Sequence, residues 1–272
     1  CDVDAFIVQD LGMVQLCKQI APHIEIHAST QMSIHNLDGV RQAAKMGISR
    51  VVLARELHRD EIAYICRNSP IEIEVFVHGA LCMCYSGQCY MSAVIGRRSG
   101  NRGQCAQPCR LPYGYGRQEN KYPLSLKDNC LLGQIKELEQ LGVASIKIEG
   151  RMKRPEYVAT ATRIYREILD GAPLKRQHVL DLQTAFSRQG FTQDYYTAGP
   201  GPDMLGIRTV ERTSEEFLSN ARATYENREN PRVPVRFYAL ITRRQGCMLA
   251  VQDDDGHICK VRGPEPMEAT HK

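Results

Sequence analysis

From Ala5 to about Gly171 the chain alternates short, β-rich apolar runs with amphipathic stretches. The runs are Ala5 to Asp10, Ile24 to Ser29, Arg50 to Arg55, Ile71 to His78 and Ser145 to Glu149. Between them, apolar residues recur at helical spacing over Met13 to Ile20, Leu37 to Met46, Arg59 to Arg67, Leu131 to Leu141 and Pro155 to Leu169. Gly47, Gly142 and Gly171 close three of these patterns, as glycine adopts the left-handed conformation that ends a helix. This alternation predicts parallel strands joined by crossover helices.

The predicted strands finish in polar residues: Gln9 and Asp10, His27 to Gln31, Arg55 and Glu56, His78, then Glu149 to Arg151. In a (β/α) barrel the carboxyl ends of the strands share one mouth, where active sites are built. A doubly wound sheet would also place function there, but no glycine-rich phosphate loop is present. The expected fold class is therefore α/β, a partial TIM-like (β/α) barrel followed by the start of a small β domain. Five strands cannot close an eight-stranded barrel, so about three βα units are expected upstream of Cys1. The absence of an initiator Met and the end at Lys272 within a β pattern fit a fragment that needs the N-terminal part of its own barrel.

Residues 1–171 form the expected barrel portion, interrupted by a loop over 81–122 that carries five cysteines and little periodicity. Loops of this length in compact domains are usually functional. Residues 172–232 are expected to be a connector with one helix over Lys175 to Gln189. Residues 233–272 begin a β-rich domain, with strands over Val235 to Ile241 and Met248 to Gln252 and a turn at Asp253 to Gly256.

The 272 residues are 43% hydrophobic and 24% charged, enough for a sizeable core. A net charge of +4 is too small to diagnose a nucleic-acid partner by itself. No run approaches the roughly 20 apolar residues of a membrane span and no signal segment opens the chain, so a cytoplasmic setting without membrane contact is expected. Eleven cysteines is an odd number, which argues against a disulfide framework and turns attention to metal or redox chemistry.

Cys82 and Cys89 are separated by six residues, and Cys105 and Cys109 by three. Thiolates gathered in a glycine-rich loop select zinc or iron–sulfur clusters over hard cations. The spacings are not the paired knuckles of structural zinc, which favours iron–sulfur while leaving zinc open. Cys17 and Cys66 fall within amphipathic helices and Cys247 and Cys259 in late strands, where a cysteine is a small core hydrophobe. Cys84 is expected to point away from its neighbours, and Cys130 is the substitute should one of the four not serve.

Glu74 to Cys82, continued by Tyr85 to Ser92, resembles the signature of the collagenase-like peptidase family U32. His27 to Gln31, Arg102 to Cys105 with Pro108 to Arg110, and Ile146 to Lys153 match further motifs in the family's order, over residues 1 to about 230. The family was named for proteolysis, yet the resemblance to its longer members implies oxygen-independent hydroxylases carrying a [4Fe-4S] cluster on four cysteines. It implies a pyrimidine of rRNA or the wobble uridine of tRNA as substrate, with prephenate as a possible co-substrate, and a further branch in ubiquinone synthesis. Carried over, the ligands fall on Cys82, Cys89, Cys105 and Cys109.

The residues can be weighed independently of the resemblance. Neither a metallopeptidase His-Glu-x-x-His helix nor a Gly-x-Ser-x-Gly elbow occurs. A cysteine peptidase, with Cys82 or Cys89 as nucleophile and His78 or His27 as base, is the alternative, although three neighbouring thiols would serve it poorly. Arg97, Arg98, Arg102, Arg110, Arg117 and Lys121 punctuate the loop with Tyr113, Tyr115 and Tyr122, the mixture of cations and rings that unpaired RNA requires. A solvated basic loop is the plain alternative. Glu149 is the expected proton-transfer group, Arg151 and Lys153 the clamp for a prephenate-like acid, and His27 and Gln31 mouth residues. His78 is expected to hydrogen-bond a cluster sulfur. For Glu149, Arg151 and Lys153 the plain alternative is an ion-paired strand end and a helix start.

Overall fold

The computed structural model describes residues 3–115, 118–208, 213–226, 234–242 and 246–264. Arg117 and parts of the expected connector and β domain lie outside the described residues. The chain divides into two compact units, residues 1–223 and 224–272.

The first unit begins with β1 (Ala5–Val8), α1 (Leu11–Ile20), β2 (Glu25–Ala28), α2 (Leu37–Lys45), β3 (Arg50–Val52), α3 (Arg59–Asn68) and β4 (Glu72–Ala80). The cysteine segment follows, with α4 (Met91–Gly96) and a hairpin of β5 (Tyr113–Tyr115) and β6 (Gln118–Lys121). Then come β7 (Asp128–Cys130), α5 (Ile135–Gln140), β8 (Ser145–Ile148), α6 (Pro155–Leu169), α7 (Arg176–Ala185), β9 (Phe191–Thr192), α8 (Asp194–Thr197) and α9 (Glu215–Glu226).

Helix boundaries follow capping chemistry. The Asp10 carboxylate accepts from Met13 N (3.0 Å), the Asn36 side chain accepts from Gly39 N (2.8 Å), and Pro155 opens α6. Gly47, Gly142 and Gly171 have φ of 78°, 90° and 95°, the left-handed stops their sequence positions predict. The helix expected from Leu131 starts later because Leu131 N donates to Val77 O (2.8 Å), holding that residue at the sheet.

The strands β1 to β4 are parallel in sequence order and β8 is parallel to β4. The last residues of β4 pair with β7, which runs antiparallel (Ala80↔Asp128), and β9 lies parallel to β7. Side chains alternate between the faces. Ile26, Ala28, Val51, Ile73, Val75 and Val77 join Val14, Val40, Ile62, Leu138 and Ile164 of the helices in one core. The opposite face is ionic: Arg50 pairs with Glu72 (2.6 Å) and Glu74 (3.6 Å), and Lys147 with Glu74 (2.8 Å).

The barrel expectation is met only as a mixed α/β sheet. Its path runs β1-β2-β3-β4-β7-β9 and does not close, because β1 pairs only with β2 and β9 only with β7 among the described residues. The segment read as a connector supplies α7 and β9 to this unit; the helix expected through Gln189 ends at Ala185, and Arg188 turns inward to Asp128.

In the second unit, β10 (Val235–Thr242), β11 (Gly246–Asp253) and β12 (Ile258–Gly263) form an antiparallel meander, reversing at Asp254 and Asp255 with Gly256 at φ 87°. No helix among the described residues is long and apolar enough to cross a membrane.

Candidate functional site

β4 runs past its pairing with β8 and delivers Cys82 directly beyond the sheet. The segment after it is docked on two neighbouring strand ends. Gly87, at φ 79°, rests on Gln31, where an added Cβ would lie 2.3 Å from the Gln31 carbonyl oxygen. Ser86 is buried; its hydroxyl donates to Glu56 Oε1 (2.9 Å) and accepts from Arg55 N (3.2 Å). Asn101 Nδ2 donates to Gly87 O (2.9 Å). Farther on, the Ser92 hydroxyl accepts from Ala106 N (2.9 Å) and faces Cys105 Sγ (3.7 Å), while Gln107 N donates to the same sulfur (3.3 Å).

This folding brings the cysteines of the two halves together. Burial pushes the Cys82 thiol up, Arg55 opposes that, and Cys109 and Cys105 add to it. Burial likewise raises Cys109, against Arg110 and with Cys105 and Cys89. Cys84 does not point away: burial and the neighbouring Cys89 raise its thiol. Cys130 lies instead in the core beside Tyr165 Oη (3.8 Å). Cys17 and Cys66 pack against the same core, whereas Cys259 is exposed.

Among the described residues, the only trio of ligand-type side chains with donor atoms within 4.8 Å of one another is Asp253, Asp255 and His257 on the β11–β12 turn. No three cysteine sulfurs among the described residues meet that distance. A single zinc with bonds of about 2.3 Å would draw four sulfurs to about 3.8 Å of one another.

At the end of β8, Glu149 accepts from Arg55 Nη2 (2.9 Å) and from Arg151 N (3.0 Å). The Arg151 side chain reaches the cysteine segment at Gly103, where an added Cβ would be 3.1 Å from Nη2. Lys153 turns elsewhere: its Nζ lies 2.8 Å from the centre of the Phe186 ring. The Arg151 and Lys153 side chains thus face different parts of the structure. Between them Met152 holds φ 60° and is 81% exposed.

Phe186 is also faced by Arg208 (4.4 Å) and Arg188 (4.9 Å). Lys153 and Arg208 edge a cleft of about 120 Å³ whose lining includes Met152, Arg154, Glu156, Phe186 and Phe217. Burial brings the Lys153 ammonium down to about 7, opposed by Asp128 and assisted by Arg188 and Arg208. Asp128 and Arg188 form a buried pair, with one guanidinium nitrogen 2.7 and 2.8 Å from the two carboxylate oxygens.

Other expected site residues have structural partners. His78 is 1% exposed in a box of Tyr157, Tyr165 and Phe191, and it does not reach a sulfur. Because the Tyr165 hydroxyl donates to Val77 O (3.0 Å), His78 Nδ1 is the donor to Tyr165 Oη (3.3 Å), and Nε2 is buried without a partner. Burial, with Lys153 nearby, brings this imidazole down to about 3. His27 pairs with Glu25 (3.3 Å). Arg110 spends its guanidinium on Leu126 O (2.6 Å), Ser125 Oγ (3.3 Å) and Leu81 O, stapling the loop to the sheet. On the loop surface Arg97, Arg98, Arg102, Lys121 and Tyr122 are exposed. Tyr85 and Tyr90 are exposed too, beyond the three tyrosines that the sequence singles out. Asp128 and Arg188 carry no sequence signal, and Arg55, expected only as a polar strand end, acquires its role from a partner distant in sequence.

A parallel α/β sheet that presents a thiol-rich loop beside an acid–guanidinium pair defines the class of protein. Residues 1–205 match the model of Peptidase family U32, and the chain belongs to that family. It is 42% identical over 226 residues to the 23S rRNA 5-hydroxycytidine C2501 synthase of Escherichia coli K12, covering 81% of this chain and 32% of that protein. It is 39% identical to the tRNA hydroxylation protein P1 of Bacillus subtilis 168, covering 62% and 43% respectively. It is 37% identical to the Collagenase of Porphyromonas gingivalis W83, covering 62% and 44%. The chain thus spans a third to under half the length of these relatives.

Proposed function

We propose that the chain carries the iron–sulfur centre and part of the substrate mouth of an oxygen-independent hydroxylase, an oxidoreductase that modifies a pyrimidine in ribosomal or transfer RNA in the cytoplasm. The convergence of Cys82, Cys89, Cys105 and Cys109 at the carboxyl edge of the sheet carries this reading. Four soft thiol donors in one segment suit an iron–sulfur centre. Bound there, a [4Fe-4S] cluster would supply one-electron relay. The relatives named for hydroxylation of rRNA and tRNA support the substrate class.

The chain's own groups then have definite tasks. Glu149, held by Arg55 at the end of β8, is the group assigned to proton transfer. Exposed Arg97, Arg98 and Arg102 neutralise phosphates while Tyr85 and Tyr90 offer faces to unpaired bases. The target base leaves its stack to reach the mouth. The cleft around Phe186 takes a small organic acid of the prephenate kind on Lys153 and Arg208. The parallel strands form an arc of a (β/α) barrel with the ionic face inward, completed by a preceding part of the longer protein.

The relative named Collagenase motivates a second reading, a cysteine peptidase. Its geometry is unfavourable: His78 is enclosed by rings and His27 pairs with Glu25, so neither hydrogen-bonds a thiol. Anaerobic purification of the full-length protein with iron and sulfide analysis separates the two. A broad visible absorption lost in Cys82→Ala/Cys89→Ala supports the hydroxylase; a colourless, metal-free protein that cleaves gelatin overturns it. Mass analysis of RNA from a deletion strain then identifies the pyrimidine lacking an oxygen.

A further inference from the structure

Arg55 occupies an unusual position. It lies three residues past the end of β3, its side chain is 9% exposed, and its guanidinium carbon sits over Phe76, 3.9 Å from the ring centre. One arm, Nη2, donates to Glu149 Oε2 (2.9 Å); the other, Nη1, faces Cys82 Sγ (4.0 Å). Its backbone N–H is bound to Ser86, on the cysteine segment itself. The remaining donor, Nε, is buried without a partner, so the side chain is not held by a third group that would explain its place.

A planar guanidinium can point two donors at two different acceptors in a fixed relation, whereas an ammonium on a flexible stem cannot. Here one acceptor is the carboxylate at the end of β8 and the other is the first cysteine of the cluster. We infer that Arg55 is a positioning residue that couples the cysteine centre to Glu149, fixing the carboxylate relative to the sulfur and placing a permanent positive charge beside both. This rests on the reading of the four cysteines as iron ligands. Removing the cation from beside a cluster sulfur makes the centre harder to reduce, since hydrogen bonds and net charge near the sulfurs set its potential. Freeing Glu149 misplaces the acid without altering the RNA-binding surface, so turnover suffers more than binding.

The test uses the full-length protein, purified anaerobically, as wild type, Arg55→Gln, Arg55→Lys and Glu149→Gln. Iron and sulfide content, midpoint potential and RNA-hydroxylation kinetics are measured on each. Arg55→Gln is expected to keep its iron, to shift the midpoint to more negative potential, and to lose kcat by tenfold to a hundredfold, roughly the cost of a misplaced group, with KM for RNA nearly unchanged. Arg55→Lys keeps the charge and the stem over Phe76. It is expected to hold the midpoint closer to wild type yet to lose kcat as Glu149→Gln does, and it carries the test should Arg55→Gln fail to fold. An iron-replete Arg55→Gln with wild-type midpoint and kcat overturns the coupling alone; so does an Arg55→Lys protein with wild-type kcat. An iron-free wild type overturns the site reading, and the coupling with it.

Discussion

Gly79 lies so close against Glu149 that a Cβ on it would stand 2.8 Å from the Glu149 carbonyl oxygen and 2.9 Å from its Cβ. Its φ is 100°, a conformation L side chains rarely adopt, and Tyr157 Oη closes the remaining space at 2.9 Å. Strain and overpacking therefore act together in Gly79→Ala. The substitution is expected to cost about 3 kcal/mol or more, read as a lowered midpoint in urea unfolding, and to displace Glu149.

The buried Asp128–Arg188 pair makes a second prediction. Removing one partner leaves a charge without compensation, so Asp128→Asn or Arg188→Met is expected to cost about 3 to 5 kcal/mol. Replacing both by apolar residues of similar volume should recover much of that loss. A double-mutant cycle in urea checks the sign of the interaction.

His78 makes stability depend on pH. Its imidazole is brought from 6.5 to about 3 in the folded chain, so the unfolded chain binds more protons between those values. This contribution is fully present above pH 6.5 and declines as pH falls toward 3. His78→Phe, which suits the aromatic box, is expected to flatten the decline; chemical denaturation at a series of pH values measures it.

Lys153 predicts a proton linked to binding. With its ammonium near 7, the side chain is mostly neutral at pH 8, and an anion in the cleft favours the charged form. Uptake of a small dicarboxylic acid at pH 8 should draw in a proton and weaken as pH rises. Calorimetry in two buffers of different ionisation enthalpy detects the proton, and Lys153→Met should abolish it.

Cys84 offers a sharper separation than its neighbours. It adjoins Cys89, whereas Cys89 also acts on Cys109. Cys84→Ser is expected to retain most of the iron of the full-length protein and Cys89→Ser to lose it, by metal analysis after anaerobic purification.

The parallel strands and their helices were legible because burial on one face imposes a period of two on strands and about 3.6 on helices. β7 and β9, at three and two residues, are too short to carry a period, and their place comes from His78, Gly79 and Ala80 at the end of β4, which pair with β7. The cysteines were legible as soft donors in a glycine-rich segment. Arg55 was legible only as a polar strand end at the mouth: its partner Glu149 is 94 residues away, and nothing local announces the pairing. The same holds for Arg188, whose carboxylate lies 60 residues earlier. Arg151 and Lys153, neighbours in the chain, were grouped by proximity in sequence, but Met152 at positive φ turns their side chains to different partners.

Arg110 fastens one end of the cysteine segment to carbonyls of Leu81 and Leu126, while Gly87 seats the other on Gln31. A synthetic peptide copied from this stretch would keep every thiol and lose the scaffold that gathers them. Whatever the sulfurs grip would consequently serve as a lock on the assembled sheet, and its release would register the first loosening of the strand ends before the core gives way.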